Sequence, residues 1–153
     1  MAHVTPIDVG TWPRREHFDH YWNRVGCTYA ITVDIDVTEM VAALRETAMK
    51  TYLAQVWALA SIVNRHDAFR MVLDDSGTPG VWDVTHPAFT VFNPASETFA
   101  SVWSPYSTDF SAFHAGAADV LLRHRSSTSL FPQSDRPANT FDVSSLPWTS
   151  FTG

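Results

Sequence analysis

Tyr52-Leu53-Ala54-Gln55-Val56-Trp57-Ala58-Leu59-Ala60-Ser61-Ile62-Val63-Asn64 carries the longest apolar run of the chain, interrupted only by Gln55 and Ser61. At 3.6 residues per turn, Leu53, Val56, Trp57, Leu59, Ile62 and Val63 fall nearly all the way round a helix rather than on one stripe. Such a helix is expected to be buried on most sides and to form the spine of a core. Upstream, Thr38 can cap a second helix whose apolar positions are Met40, Val41, Leu44 and Ala48. Before it, Thr28–Val37 sets Ile31, Val33, Ile35 and Val37 against Thr32, Asp34 and Asp36, the period-2 pattern of a half-buried strand. A further helix is expected after Trp12-Pro13, with Phe18, Tyr21 and Trp22 on one face and Gly26 as its stop.

Downstream, His66-Asp67 reads as the helix exit. Phe69–Leu73 and Val81–Val84 flank the turn-rich Asp74–Gly80 and predict a hairpin. His86-Pro87 reads as a turn, and Phe89–Phe92 and Thr98–Trp103 as short strands. Ser107-Thr108-Asp109 opens a helix bearing Phe110, Phe113, Ala117, Val120 and Leu121 on one side, ending in the polar Arg123–Ser129. A loop follows through Asn139, then a strand over Thr140–Ser144. Trp148–Gly153 reads as another strand with nothing to cover it, a feature that predicts marginal stability or self-association. Helices and antiparallel strands are thus mixed, without regular βαβ alternation.

The 153 residues suit one domain, and a chain of this size buries roughly two-thirds of its unfolded surface without a metal or disulfide staple. The net charge of −6 leaves no basic stripe for nucleic acid or anionic membranes. No apolar run reaches the ~20 residues of a membrane span, and Met1–Gly10 does not read as a signal peptide. The single cysteine, Cys27, excludes an intramolecular disulfide framework and fits a reducing, cytoplasmic setting.

Generic catalytic motifs are absent: there is no Gly-rich phosphate loop, no Gly-x-Ser-x-Gly and no His-Glu-x-x-His. His17 and His20, three apart, could touch a metal, but no third ligand is evident and exposed or capping histidines are the alternative. His66, His86, His114 and His124 each lack an evident partner to orient a base. Cys27 reads as a packed core residue, with a nucleophile as the alternative. Ser144-Ser145 could donate hydrogen bonds into a site or simply form a turn. The surplus of aromatics, including Tyr21, Tyr29, Phe99, Trp103 and Phe131, could line an apolar pocket or fill the core.

The exact wording of the sequence carries further than its pattern. Trp12-Pro13-Arg14-Arg15-Glu16-His17-Phe18, then Cys27, Phe69-Arg70-Met71, Val81-Trp82-Asp83, His86-Pro87 and Thr90-Val91-Phe92 occur in that order. Glu97-Thr98-Phe99, Leu130-Phe131-Pro132-Gln133 and Ser144-Ser145-Leu146-Pro147-Trp148 follow. Together they closely resemble the trimeric chloramphenicol acetyltransferases. That resemblance implies an α/β (α+β) two-layer sandwich of the CoA-dependent acyltransferase type. It also implies a homotrimer that transfers acetyl from acetyl-CoA to the primary hydroxyl of chloramphenicol, an antibiotic-resistance activity without a metal.

Carried over by position, the resemblance implies that Ser144 stabilises the oxyanion. His20, Tyr21, Val25, Tyr29, Ala88, Phe99, Ser101 and Phe131 would line the acceptor pocket. His20 and Ala88 depart from the aromatic and amide residues often found there. Arg14 matches an arginine that pairs with the aspartate of a late His-His-x-x-x-Asp-Gly motif, which also supplies the base from a facing subunit. None of the seven histidines here begins such a motif. The expectation is therefore a domain over residues 1–153 corresponding to the first two-thirds of a family member, lacking the C-terminal third and inactive alone. The alternative is a non-catalytic module that binds chloramphenicol-like ligands or joins trimers of a complete homologue.

Overall fold

The computed structural model describes residues 2–149. Among the described residues there are two three-stranded sheets and four α-helices. The first sheet has the order β1-β3-β2 and the second β5-β4-β6. Strand β1 (Val4–Pro6), absent from the sequence reading, pairs antiparallel with β3 (Pro79–Trp82), as does β2 (Met71–Leu73). Strands β1 and β3 approach so closely at Gly80 that a Cβ there would collide with the Val4 side chain. The β2–β3 turn is organised by Asp74, whose Oδ1 accepts from the amides of Ser76 (2.9 Å) and Thr78 (2.8 Å), with Gly77 at φ +81°. The predicted hairpin is present, although β2 is shorter than expected, β3 lies two residues earlier, and Asp67–Phe69 forms a 3-10 turn.

The second sheet positions the core. Strands β4 (His86–Asn93) and β5 (Thr98–Trp103) form an antiparallel hairpin, and β6 (Thr140–Val143) runs parallel to β4. Directly opposed residues project from the same side. Phe89↔Val102, Val91↔Ala100 and Phe89↔Val143 therefore share one face. That face packs on α3 (Thr51–Arg65) through Leu53 and Val56, and on α4 (Phe110–His124) through Phe113, Ala117 and Val120. Helix α4 starts where the sequence predicts, with Asp109 Oδ1 accepting from the Ala112 amide at 3.1 Å. The resulting helix-on-sheet layering is the expected mixed α/β class. Helix α3 is the spine, but less enclosed than its composition implies: Leu59 and Ile62 stay exposed on the side turned away from the sheet.

Several expectations fail. His86-Pro87 is no turn but the start of β4, because the His86 amide donates to Asn139 O (2.8 Å) and Pro87 registers with Phe141. Proline is tolerated there because its nitrogen faces the position where the β5 ladder is already ending, with Ser104 N donating to Pro87 O at 3.3 Å. The helix expected after Trp12-Pro13 is present, as α1 (Arg15–Phe18) continued by a π-helical stretch, Asp19–Val25, and Gly26 stops it as expected, in a left-handed conformation (φ 63°). Thr28–Val37 forms no strand. Every residue from Tyr21 to Glu39 is exposed, with Ile31 at 75% and Ile35 at 70%. Alternation supplies a strand's apolar face, but the backbone also needs a neighbouring strand, and none among the described residues runs beside it. Cys27 is accordingly exposed rather than packed.

Helix α2 (Thr38–Arg45) ends before Ala48, and its N-cap position is Val37 rather than Thr38, with no side-chain cap bond; Asp36, one residue earlier, accepts from the Thr38 amide at 2.9 Å. Of the strand expected over Trp148–Gly153, Trp148 lies in a turn against Phe92 (ring centroids 5.7 Å), and 150–153 lie outside the described residues. No helix among the described residues is long and apolar enough to cross a membrane.

Two predictions follow from this packing. Phe89→Ala removes the largest ring of the sheet's covered face and should lower unfolding stability by about 3–5 kcal/mol in urea titration. Leu122→Ala, at an exposed position of α4, should change it by less than about 0.5 kcal/mol.

A further prediction concerns His86. Its Nδ1 accepts from the Tyr106 amide at 3.1 Å and its ring lies on Trp103. Burial holds the imidazole below its ordinary pKa, against the opposing charge of Asp83. The unfolded chain then binds a proton that the native state refuses, so stability is constant above the ordinary imidazole pKa and falls as pH drops through it. Thermal melts from about pH 7.5 to about pH 5.5 should shift downward, and more steeply than those of His86→Gln.

Candidate functional site

Beyond Val143 the chain leaves β6 while β4 runs on to Asn93, so the far half of β4 has no neighbour on that side. At Thr90 a side chain replaces the missing strand. The Tyr52 hydroxyl, from the first turn of α3, donates to Thr90 O (3.1 Å) and accepts from Thr90 N (3.2 Å). Its ring stands edge-on to Phe89 with centroids 6.2 Å apart. Burial raises the Tyr52 pKa, outweighing the two bonds to Thr90, so the phenol keeps its donor proton.

The departure of the chain opens a cleft of about 720 Å³ between the end of β4, the first turns of α3 and the segment Ser144–Trp148. Tyr52, Thr90, Phe92, Phe99, Leu121 and Trp148 line it, with Gln55 and Ser144 among its polar groups. Ser144 is exposed, immediately after the last residue of β6, where a hydroxyl can reach a bound ligand. An apolar cleft with a few polar groups suits a small aromatic or aliphatic ligand.

The residues carried over by resemblance divide into two groups. Ala88, Phe99 and Ser101 project from the sheet face opposite the helices, since Ala88↔Trp103, Thr90↔Ser101 and Phe92↔Phe99 are opposed pairs. Ala88 is buried, Phe99 is half exposed and lines the cleft, and Ser101 Oγ accepts from Arg136 Nη1 at 3.2 Å. Arg136 also reaches Thr140 Oγ1 (3.1 Å) and Asp142 Oδ1 (2.9 Å), so its guanidinium spans this face from β5 to β6. Phe131 is exposed in the loop beside β5, whose Ser101 amide donates to Leu130 O at 2.7 Å.

His20, Tyr21, Val25 and Tyr29 lie on the exposed N-terminal arm and none lines the cleft. His20 and Tyr21 pack edge-to-face at 4.9 Å and, with Arg15, Glu16, His17, Asp19 and Arg24, line a separate hollow of about 480 Å³. Arg14 precedes α1 and is exposed. Among the described residues no group of three or more His, Cys, Asp or Glu is placed to hold a metal. Sequence reading missed Tyr52, Thr90, Phe92 and Trp148 as lining residues. The one available signal was a tyrosine on an otherwise apolar helix, whose hydroxyl had to find a partner.

Comparison with known proteins bears on the whole chain. Residues 2–153 match the family model described as chloramphenicol acetyltransferase. Chloramphenicol acetyltransferase of Streptomyces acrimycini is 64% identical over 148 residues, covering 97% of this chain and 67% of the relative. Chloramphenicol acetyltransferase 2 of Haemophilus influenzae is 40% identical, over 97% of this chain and 70% of the relative. Chloramphenicol acetyltransferase 3 of Escherichia coli is also 40% identical, over 96% and 68%. A solved structure of a chloramphenicol acetyltransferase superposes with a TM-score of 0.85 at 19% identity, covering 99% of this chain and 74% of that one, which fixes the fold. The chain spans about two-thirds of the length of these relatives, and it belongs to the chloramphenicol acetyltransferase family.

Proposed function

We propose that this chain forms the acceptor side of a chloramphenicol O-acetyltransferase acting in the cytoplasm as a homotrimer, with acetyl-CoA as co-substrate. The observation that carries this reading is the apolar cleft, with Phe99 in its lining and Ser144 exposed on it. In acetyl transfer the acceptor's hydroxyl oxygen attacks the thioester carbonyl while a base takes the hydroxyl proton. The negative charge then moves to the carbonyl oxygen, and collapse of the tetrahedral intermediate breaks the carbon–sulfur bond and expels the thiolate. A serine hydroxyl aimed at that oxygen stabilises the charge as it develops. Ser144 takes this role. Ala88, Phe99, Ser101 and Phe131 supply one wall of the acceptor pocket, and His20, Tyr21, Val25 and Tyr29 supply another when the arm is packed in the assembly. Arg14 serves as the arm's partner for a carboxylate.

The base is a separate matter. No histidine among these 153 residues belongs to a His-His-x-x-x-Asp-Gly motif, and the described histidines stand away from the cleft lining. Residues 1–153 therefore bind the acceptor without turning it over. A second reading is supported by the exposed apolar run Tyr29, Ile31, Val33 and Ile35: the chain acts as a non-catalytic partner that inserts into trimers of a complete homologue.

Calorimetry with chloramphenicol should give a saturable binding isotherm, and an acetyl-CoA thiol-release assay at high protein concentration should show no chloramphenicol-dependent rate. Turnover above background would overturn the assignment of the base to residues outside 1–153. Absence of binding would remove the acceptor-pocket reading. Co-elution with a complete homologue, with no ligand binding by this chain alone, would favour the second.

A further inference from the structure

We propose that Gln133, which the acceptor pocket does not include, is a positioning residue whose side-chain amide closes the outer edge of β5 and so fixes Phe131. The inference rests on the reading of Phe131 as a pocket wall. In an antiparallel hairpin alternate residues turn their backbone groups away from the partner strand. On β5 the residues so turned include Ser101 and Trp103, and no third strand lies beside them among the described residues.

The loop after α4 takes that place with one backbone bond and one side chain. Ser101 N donates to Leu130 O at 2.7 Å. Trp103 N donates to Gln133 Oε1 at 2.7 Å, and Gln133 Nε2 returns a bond to Trp103 O at 3.2 Å. A carboxamide is a planar donor–acceptor pair, so here it substitutes for the backbone of a strand residue.

Phe131 lies between these two anchors. Pro132 follows it, with φ fixed by its own ring and with the residue before it held to extended conformations. An exposed loop aromatic would otherwise sample several positions. Here attachment at Leu130 and at Gln133 leaves Phe131 little backbone freedom, on the same edge that carries Phe99 and Ser101. Arg136 adds a third tie from the same loop, to Ser101 Oγ. Holding a ligand wall in its bound position before the ligand arrives removes an ordering cost from binding.

The test compares wild type, Gln133→Leu and Gln133→Glu by chloramphenicol calorimetry and by hydrogen exchange at the Trp103 amide. Gln133→Leu keeps the bulk but loses both bonds. It should speed Trp103 exchange and weaken chloramphenicol binding about tenfold. Gln133→Glu places a carboxylate against the Trp103 carbonyl and should be equally weak at neutral pH. Once protonated, its carboxyl again offers one acceptor and one donor, so binding relative to wild type should recover on acidification, with no recovery in Gln133→Leu. Arg123 and His124 of α4 and Asp135 and Arg136 of the loop lie around this site, and the His86 ring packs against Trp103 at a tilt of 31°. Taking the ratio to wild type at each pH removes their titration.

Unchanged affinity in Gln133→Leu, or Trp103 exchange as fast in wild type as in that variant, would overturn the proposal. A wild-type protein that binds no chloramphenicol would overturn the reading beneath it, while the exchange comparison would still report whether the carboxamide holds the edge.

Discussion

A sheet covered by helices on one side only has to sort its residues by parity, and that sorting governs everything else in this molecule. Phe89, Val91, Ala100, Val102 and Val143 meet Leu53 and Val56 of α3 and Phe113, Ala117 and Val120 of α4. Burying that set stabilises the fold through several side chains worth about 1.5–3 kcal/mol each. A one-residue slip in register would turn all of them to the other side. With that face committed to the core, Ala88, Phe99, Ser101 and Asp142 have to project away from the helices. Phe99 reaches the cleft from that second face, while Val91 serves both the core and the cleft lining.

The parallel partner imposes the second condition. Strand β6 pairs with β4 only from His86 to Phe89, and β4 continues four residues further. Exposed ladder groups in that stretch would be costly if buried without partners. Tyr52 answers this at Thr90 with a single hydroxyl that both donates and accepts. Asn64 does the same for Thr85, accepting from its amide and donating to its carbonyl, both at 2.9 Å. Gln133 repeats the arrangement at Trp103. Three side chains each stand in for one residue of a strand that is not beside them. A hydroxyl or carboxamide takes far less room than a strand, and at Thr90 the space left over is the cleft.

How much of this was legible in the sequence depends on whether local pattern or distant partners decide. Helices α3 and α4 and strand β5 were readable because apolar period, capping residues and turn chemistry agree within each segment, as at Asp109 and Phe113. The class of fold followed from them. Thr28–Val37 was misread for the opposite reason: its alternation is strong, but a strand is a relation between two segments, and the second is not among the described residues. Strand β1 was missed because three residues, one of them a proline, carry no periodic signal and are defined by their register with β3. His86-Pro87 looked like a turn because proline usually punctuates, yet its nitrogen falls where the ladder has no need of a donor.

The sequence names candidate site residues but not where the fold puts them. Wording shared with the chloramphenicol acetyltransferases named Ser144, Phe99, Ser101 and Phe131, which the structure places on or beside the sheet. It named His20, Tyr21, Val25 and Tyr29 equally well, and these sit on an arm whose side chains are exposed throughout. The difference is one of support. The sheet-borne residues are fixed by ladders, by Arg136 and by Gln133, within a core that folds around them. The arm residues have only their own helix and the αL stop at Gly26. An amphipathic segment gains nothing from its apolar side chains until another surface removes them from water. On the proposed reading, the sheet-borne part of the acceptor pocket is already held by folding, whereas the arm residues need another surface against them.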